Sequence, residues 1–128
     1  MPFVDISYIE DQHKEEDISS ICRVVHSSLI EHFNISEDNF FQLLHPKKQE
    51  HVLKNSTFHV SGVRSDRYLV IRITCTEGRT TQQKQGLYDS IASGINKSCN
   101  ISKADILILL YETAPSAWCF GDGTAFGN

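Results

Sequence analysis

The run NISEDNFFQLL at residues 34–44 returns as NISKADILILL at residues 100–110, 66 positions later. The apolar residues before each run correspond at the same offset and recur at the spacing of one helix face: Ile21, Val25 and Leu29 match Leu87, Ile91 and Ile95. Further back, VDISYIE at 4–10 and IRITCTE at 71–77 are both short, β-branched runs. Each half of the chain is therefore predicted to form a strand, a helix and a second strand.

The local sequence around each predicted element supports this repeat. The run from Ile106 to Leu110 has no polar alternation, which is typical of a strand covered on both faces in a parallel sheet. Asn34 and Asn100 stand where each helix must end, because asparagine tolerates left-handed backbone geometry. Thr80 and Gln83 predict a capping box at the start of the second helix.

We therefore predict an α/β fold in which two tandem βαβ units form one four-stranded, mainly parallel sheet with two helices on one face. The chain of 128 residues is expected to be a single domain, 1–128, with a first βαβ unit at 2–44, a connection at 45–66, a second βαβ unit at 67–112 and an aromatic, glycine-containing tail at 113–128. The connection is expected to hold a small hairpin or edge strand, and the tail to be irregular or a short ribbon. Helices on one face leave the other face open, so we expect the chain to form an oligomer.

Composition excludes several classes of function. The formal net charge is −4, and the longest basic stretch is Pro46-Lys47-Lys48, which argues against nucleic-acid binding. There is no apolar stretch of membrane-spanning length and no signal-peptide pattern at the start, so we expect a cytoplasmic protein that does not bind membranes. Four cysteines without a CxxC pair and six scattered histidines predict buried free thiols and no metal site.

Three features together resemble one known family. The chain begins Met1-Pro2, carries EGRT at 77–80 between the third strand and the second helix, and has the tail pattern Trp118-x-Phe120-Gly121-x-Gly123. On a duplicated βαβ chain of this length, they resemble the tautomerase superfamily, and within it the branch that includes malonate semialdehyde decarboxylase. The resemblance implies a tautomerase-like fold, a homotrimer and an enzyme that needs no cofactor.

The resemblance also implies the catalytic group. In that family the initiator methionine is removed and the amino-terminal proline, here Pro2, is the catalytic base. The physical reason is that a processed Pro2 exposes a secondary amine, whose pKa falls toward neutrality in an apolar pocket near cations. A base with a pKa near the working pH is what proton transfer between carbon and oxygen requires.

Arg79 is the second catalytic residue that the resemblance implies, because its place in EGRT matches the arginine that binds a substrate carboxylate or carbonyl oxygen in the family. A guanidinium can hold a carboxylate through two parallel hydrogen bonds and can stabilise an enolate oxyanion. The alternative is a structural arginine that caps the helix or pairs with Glu77.

The leading prediction is a keto-enol tautomerase that acts on an enolisable 2-oxo acid such as phenylpyruvate. One alternative is a decarboxylase, or a dehalogenase or hydratase, that acts on a small three-carbon acid such as malonate semialdehyde. A second alternative is a non-catalytic trimeric binding protein.

Two departures from the family pattern favour tautomerisation. Family members that decarboxylate or dehalogenate have a second arginine within three residues before the one that Arg79 matches, where this chain has Thr-Glu-Gly at 76–78. Arg72 would substitute for it only if its side chain faces the pocket. Asn39 stands where the decarboxylase-like members have an aspartate, and an asparagine cannot act as an anionic base.

The remaining candidate substrate-binding residues have simpler structural interpretations. His26 matches a substrate-binding histidine of one dehalogenase-type branch, but it also suits a half-buried position beside the apolar face of a helix. Trp118 and Phe120 are expected to pack as a hydrophobic wall, which would accept an aryl substrate if the tail reaches the pocket. Tyr111 follows the fourth strand and would either donate a hydrogen bond or pack.

Overall fold

A computed structural model describes residues 1–126 of the chain, and Gly127 and Asn128 of the predicted tail lie outside the described residues. Six main elements follow one another: β1 (Phe3–Ile9), α1 (Glu15–Phe33), β2 (Gln42–Lys47), β3 (Leu69–Thr76), α2 (Thr81–Cys99) and β4 (Ile106–Thr113). Short 3-10 turns lie at Gln49–His51, Lys103–Asp105 and Pro115–Ala117. No helix within residues 1–126 is long and apolar enough to cross a membrane.

The four strands form one sheet in the order β2-β1-β3-β4. Each βαβ unit pairs its own two strands in parallel, whereas β1 and β3 pair antiparallel with Phe3 opposite Thr74. The two units therefore lie side by side in the sheet and are joined through their first strands. This arrangement confirms the predicted four-stranded, mainly parallel sheet built from two tandem βαβ units.

Both helices pack on the same face of the sheet, as predicted. The apolar residues that recur along one face of each helix are all buried, with relative exposures of 0 or 1%: Ile21, Val25, Leu29, Leu87, Ile91 and Ile95. They pack against alternate residues of β1 and β3, such as Ile6 and Ile71. The helices approach closely, since a Cβ on Gly94 would come within 2.6 Å of Val24 Cγ1.

The predicted helix boundaries are confirmed by their caps. Asn34 ends α1 with φ 54° and ψ 39°, and Asn100 ends α2 with φ 55° and ψ 36°, both left-handed. At the start of α2, Thr80 and Gln83 form the reciprocal capping box. Because this cap fixes where α2 begins, it also fixes the position of the residue before it, Arg79.

The connection between the two units differs from the prediction. Strand β2 continues through Pro46 to Lys47, beyond the predicted end of the first unit at residue 44, because proline is tolerated on an edge strand. The predicted hairpin or edge strand within 45–66 is wrong: residues 48–66 contain no further strand. Instead, Asn55 Oδ1 accepts hydrogen bonds from two backbone N–H groups, and Arg64 donates to the carbonyls of Asn55 and Phe58. These side chains satisfy backbone groups that a hairpin would have paired.

A buried aspartate ties this connection to the start of β4. Asp105 is only 2% exposed, and its carboxylate accepts hydrogen bonds from the Ser65 backbone N–H at 2.6 Å and from the Ser65 hydroxyl at 2.7 Å. Asp105→Ala is expected to lower the free energy of unfolding by about 1–3 kcal/mol, because it leaves a partly buried donor unpaired. Urea unfolding measures this change. Asp105→Asn keeps one acceptor and should lose less stability. An unchanged urea midpoint in Asp105→Ala would contradict the stabilising role of Asp105.

In the part of the chain that the structure describes, no helix covers the second face of the sheet. Alternate strand residues on this face remain accessible, including Leu43, Leu109 and Tyr111, which are 51%, 38% and 50% exposed. A polar pair, Asp5 and His45, crosses the middle of the face with Oδ1 and Nε2 2.7 Å apart.

The tail after β4 is irregular, which is one of the two predicted forms, and its only regular element within residues 114–126 is the short turn at Pro115–Ala117. The cysteines are all free thiols. Burial is as predicted for Cys75 and Cys99, but Cys22 is half-buried and Cys119 is exposed. Cys119 is exposed because the irregular tail lies outside the helix-covered core.

Candidate active site

The amino terminus lies at the centre of the sheet rather than at its edge. Pro2 is buried directly before β1, and the Val4 N–H donates to the Phe41 carbonyl at 3.0 Å, which fixes the start of β1 against the residue before β2. Burial, followed by the positive charge of Arg79, lowers the pKa of the Met1 α-amino group. Both effects disfavour the charged form of an amine at this end of β1.

Arg79 comes to the same place from the end of β3. Its Nη1 donates to the Thr76 carbonyl at 2.9 Å and to the Thr76 hydroxyl at 3.0 Å, and its Nη2 donates to the Phe33 carbonyl at 3.3 Å. The guanidinium carbon also lies 4.9 Å from the centroid of the Phe33 ring. A guanidinium has five N–H donors, so these three hydrogen bonds orient it and leave two donors for another partner.

Asn39 lies on the other side of the amino terminus. Its Nδ2 donates to the Met1 sulfur at 3.5 Å, and its Oδ1 is buried without a hydrogen-bond partner among residues 1–126. These two residues line a cleft of about 280 Å³ together with Ser36, Asp38, Phe41 and Phe120. The carboxamide of Asn39 thus offers one donor and one acceptor at the wall of this cleft.

Aromatic side chains from the tail cover one side of the cleft. Phe120 stacks on Trp118 with ring centroids 5.3 Å apart, and it contacts Phe41 and Phe126 at 5.7 Å each. The Trp118 indole N–H donates to the Thr113 hydroxyl at 2.6 Å, which anchors the stack to the end of β4. The predicted tail residues therefore reach the amino terminus, where they form an aromatic wall.

Phe41 was not among the candidates from the sequence. The signal for it is the alternation along the repeated run, where Asn39 and Phe41 face the amino-terminal cleft and Phe40 between them faces α1.

Arg72 and Tyr111 are not among the residues that line this cleft. Arg72 is exposed and pairs in register with Asp5, on the face of the sheet opposite the helices. Its neighbours Ile71 and Ile73 point toward the helices, so a strand residue between them must point the other way. Tyr111 lies on that same uncovered face.

His26 also lies outside the cluster around the amino terminus. Its ring is half-buried on α1, where Nε2 donates to the Glu37 carbonyl at 3.0 Å and the ring packs edge-on against Phe40 at 4.6 Å. The loop at 36–41 lies between this position and the amino-terminal cleft, since Phe40 contacts His26 whereas Asn39 and Phe41 line the cleft. The structure therefore brings Pro2, Arg79, Asn39, Trp118 and Phe120 to the amino-terminal end of β1, whereas Arg72 and His26 do not line the cleft there.

Comparison with known proteins agrees with this geometry. A family model described as "Tautomerase enzyme" matches residues 38–121, which is more than half of the chain. The chain belongs to the tautomerase family. It is therefore an isomerase, and family membership favours an enzyme over the non-catalytic alternative.

Similar proteins cover nearly the whole tautomerase chain. The probable tautomerase YusQ of Bacillus subtilis (strain 168) is 34% identical over 125 residues, which are 98% of this chain and 97% of that protein. The crystal structure of FG41 malonate semialdehyde decarboxylase inhibited by 3-bromopropiolate is 24% identical with a TM-score of 0.87, over 95% of this chain and 91% of that one. A fused 4-OT symmetric trimer is 11% identical with a TM-score of 0.78, over 96% and 94%. The two structures establish the likeness of the fold.

Proposed function

We propose that this protein is a cofactor-independent keto-enol tautomerase whose base is the secondary amine of Pro2, exposed by removal of Met1. The observation that carries the proposal is the place of the amino terminus: Pro2 is buried, the charge of Arg79 acts on the α-amino group before it, and Phe120 of the aromatic wall lines the same cleft as Met1. Desolvation and a nearby cation both disfavour a charged amine. Such an amine is available to accept a proton near neutral pH.

The reaction proposed for this site is the ketonisation of an enolised 2-oxo acid. The Pro2 amine takes the proton from the enol oxygen, so that the O–H bond breaks and a carbonyl forms. The resulting ammonium delivers a proton to C3, where the new C–H bond forms, and the amine returns to its neutral state. Arg79 uses its two remaining donors to bind the carboxylate or the developing oxyanion.

The aromatic wall supports an aryl-substituted substrate such as phenylpyruvate. Phe41, Trp118 and Phe120 present ring surfaces beside the cleft, and aromatic rings pack favourably in offset or edge-on contact. A three-carbon acid would leave this surface without a partner.

The decarboxylase or dehalogenase alternative is less well supported. FG41 malonate semialdehyde decarboxylase has a similar fold, but here the additional arginine that the sequence offered for the pocket, Arg72, pairs in register with Asp5 and is not among the residues that line the cleft. Asn39 also occupies the position at which the decarboxylase-like pattern has a carboxylate.

We further propose that the protein acts as a homotrimer. The fused 4-OT structure with a similar fold is a trimer, and the uncovered face of the sheet here exposes large apolar side chains that assembly would bury. Each trimer would present three clefts.

The test of the proposed reaction is a direct comparison of two substrates with the mature protein. Loss of absorbance from phenylenolpyruvate reports ketonisation, and coupled detection of acetaldehyde reports decarboxylation of malonate semialdehyde. We expect ketonisation well above the buffer rate and decarboxylation at the buffer rate. The reverse result would replace the proposed reaction with the alternative.

A further inference from the structure

A second apolar groove lies between α1 and the edge strand β2, on the helix side of the sheet. Its volume is about 370 Å³. We call it the α1–β2 groove, and its lining residues are Ile18, Ser19, Cys22, Arg23, His26, Ser27, Phe40 and Leu44. None of these residues lines the amino-terminal cleft.

The internal repeat provides a reference for what normally fills this position. At the offset of 66 residues, the corresponding flank lies between α2 and β4. There Tyr88 is half-buried, and Lys84 forms a salt bridge of 2.7 Å with Glu112 across the helix and the strand. A large ring and an ion pair therefore cover the α2–β4 flank.

The first repeat has smaller or apolar residues at all three of these positions. Cys22 replaces Tyr88, Ile18 replaces Lys84 and Pro46 replaces Glu112. Consequently Phe40 and Leu44 remain 51% and 43% exposed. The groove is thus open because the first repeat lacks the side chains that cover the same surface in the second.

The charge at the rim of the groove also differs between the repeats. Arg23 stands where the second repeat has Asp89. Within residues 1–126 its guanidinium donates one hydrogen bond, to the Ser20 hydroxyl at 2.9 Å, so four of its five donors remain for another partner. The His26 Nε2–H is already bound to the Glu37 carbonyl, and Arg23 is the other basic residue that lines the groove, so Arg23 is the cation available to a ligand here.

We propose that the α1–β2 groove is a second ligand site, which binds a small carboxylate with an apolar chain or ring. The apolar part lies between Cys22 and Leu44, and the carboxylate binds the Arg23 guanidinium. Charge-assisted hydrogen bonds to arginine are among the strongest available to a carboxylate. The site is separate from the one proposed for catalysis, so it stands or falls independently of the tautomerase reaction.

The experiment measures binding of anilinonaphthalene sulfonate by fluorescence, and its displacement by octanoate, in the full-length protein. Cys22→Tyr places in the groove the residue that the second repeat already accommodates, and Cys22→Ala is the matched control that leaves it open. Arg23→Gln removes the charge at an exposed position. Arg79→Ala reports on binding at the amino-terminal cleft.

We expect octanoate to displace the probe from the wild type, from Cys22→Ala and from Arg79→Ala with similar affinity. Cys22→Tyr should lose the site, and Arg23→Gln should weaken octanoate binding by about tenfold, as expected for the loss of one charge-assisted interaction. The proposal is overturned if the wild type does not bind octanoate, if Cys22→Tyr and Arg23→Gln bind normally, or if Arg79→Ala abolishes binding. A change in oligomeric state in Cys22→Tyr, with no octanoate binding to the wild type, would identify the groove as a subunit interface instead.

Discussion

Pro2→Ala is expected to lower kcat/KM for phenylenolpyruvate ketonisation by about 10²- to 10⁴-fold, the usual contribution of a positioned general base. Alanine still presents an α-amine after methionine removal, but that amine is primary and its backbone is free to rotate. Proline offers a secondary amine with φ fixed by its ring. Stopped-flow or conventional absorbance assays of both proteins measure the difference.

The Pro2→Ala experiment needs two controls. Intact mass must show that Met1 has been removed from both proteins, because a retained methionine would block the amine in either. Pro46→Ala removes a proline from the edge strand β2, away from the cleft, and should keep wild-type activity. Equal activity of Pro2→Ala and the wild type would exclude Pro2 as the base.

Arg79→Ala is expected to lower kcat/KM by about 10²- to 10³-fold, the range observed when one oxyanion-stabilising donor is removed. The kcat/KM of Arg79→Lys should lie between those of the wild type and Arg79→Ala, because lysine keeps the charge but loses the paired geometry of the guanidinium. Steady-state kinetics separate the effects: loss of carboxylate binding raises KM, whereas loss of oxyanion stabilisation lowers kcat.

The repeat supplies a matched control for the structural part of this effect. Arg79 donates to the Phe33 carbonyl at the end of α1, and Arg67 donates to the Cys99 carbonyl at the corresponding end of α2. Arg67→Ala should therefore lose comparable stability without loss of activity. If Arg67→Ala and Arg79→Ala reduce activity equally, the role of Arg79 is structural.

Most of the fold was predictable because the chain repeats itself. Both copies of the pattern predicted the same buried apolar positions in α1 and α2. Asparagine at the end of each helix located both helix ends. The connection between the copies was not predictable in the same way. Its form depends on individual side-chain hydrogen bonds from Asn55 and Arg64, which periodicity does not report.

The candidate site was predictable for residues that lie next to the ends of the two central strands. Pro2 precedes one central strand and Arg79 follows its neighbour, so the antiparallel pairing of β1 and β3 brings them to one edge. Strand alternation placed Arg72 on the sheet face opposite the helices, and that could have been inferred from Ile71 and Ile73. The contact of Phe41 with the tail could not, because it depends on how an irregular segment folds back.

The pH dependence of kcat/KM for phenylenolpyruvate ketonisation by the mature protein tests the central claim most directly. An amine base works in its neutral form, so the rate must rise with pH through the pKa of Pro2 and fall as the amine is protonated. Burial and Arg79 lower the pKa of the Met1 α-amino group, and because Pro2 occupies the same surroundings we expect the rise to be centred below the ordinary α-amino value of about 8. A profile without such an ionisation, or one that survives unchanged in Pro2→Ala, would contradict the account.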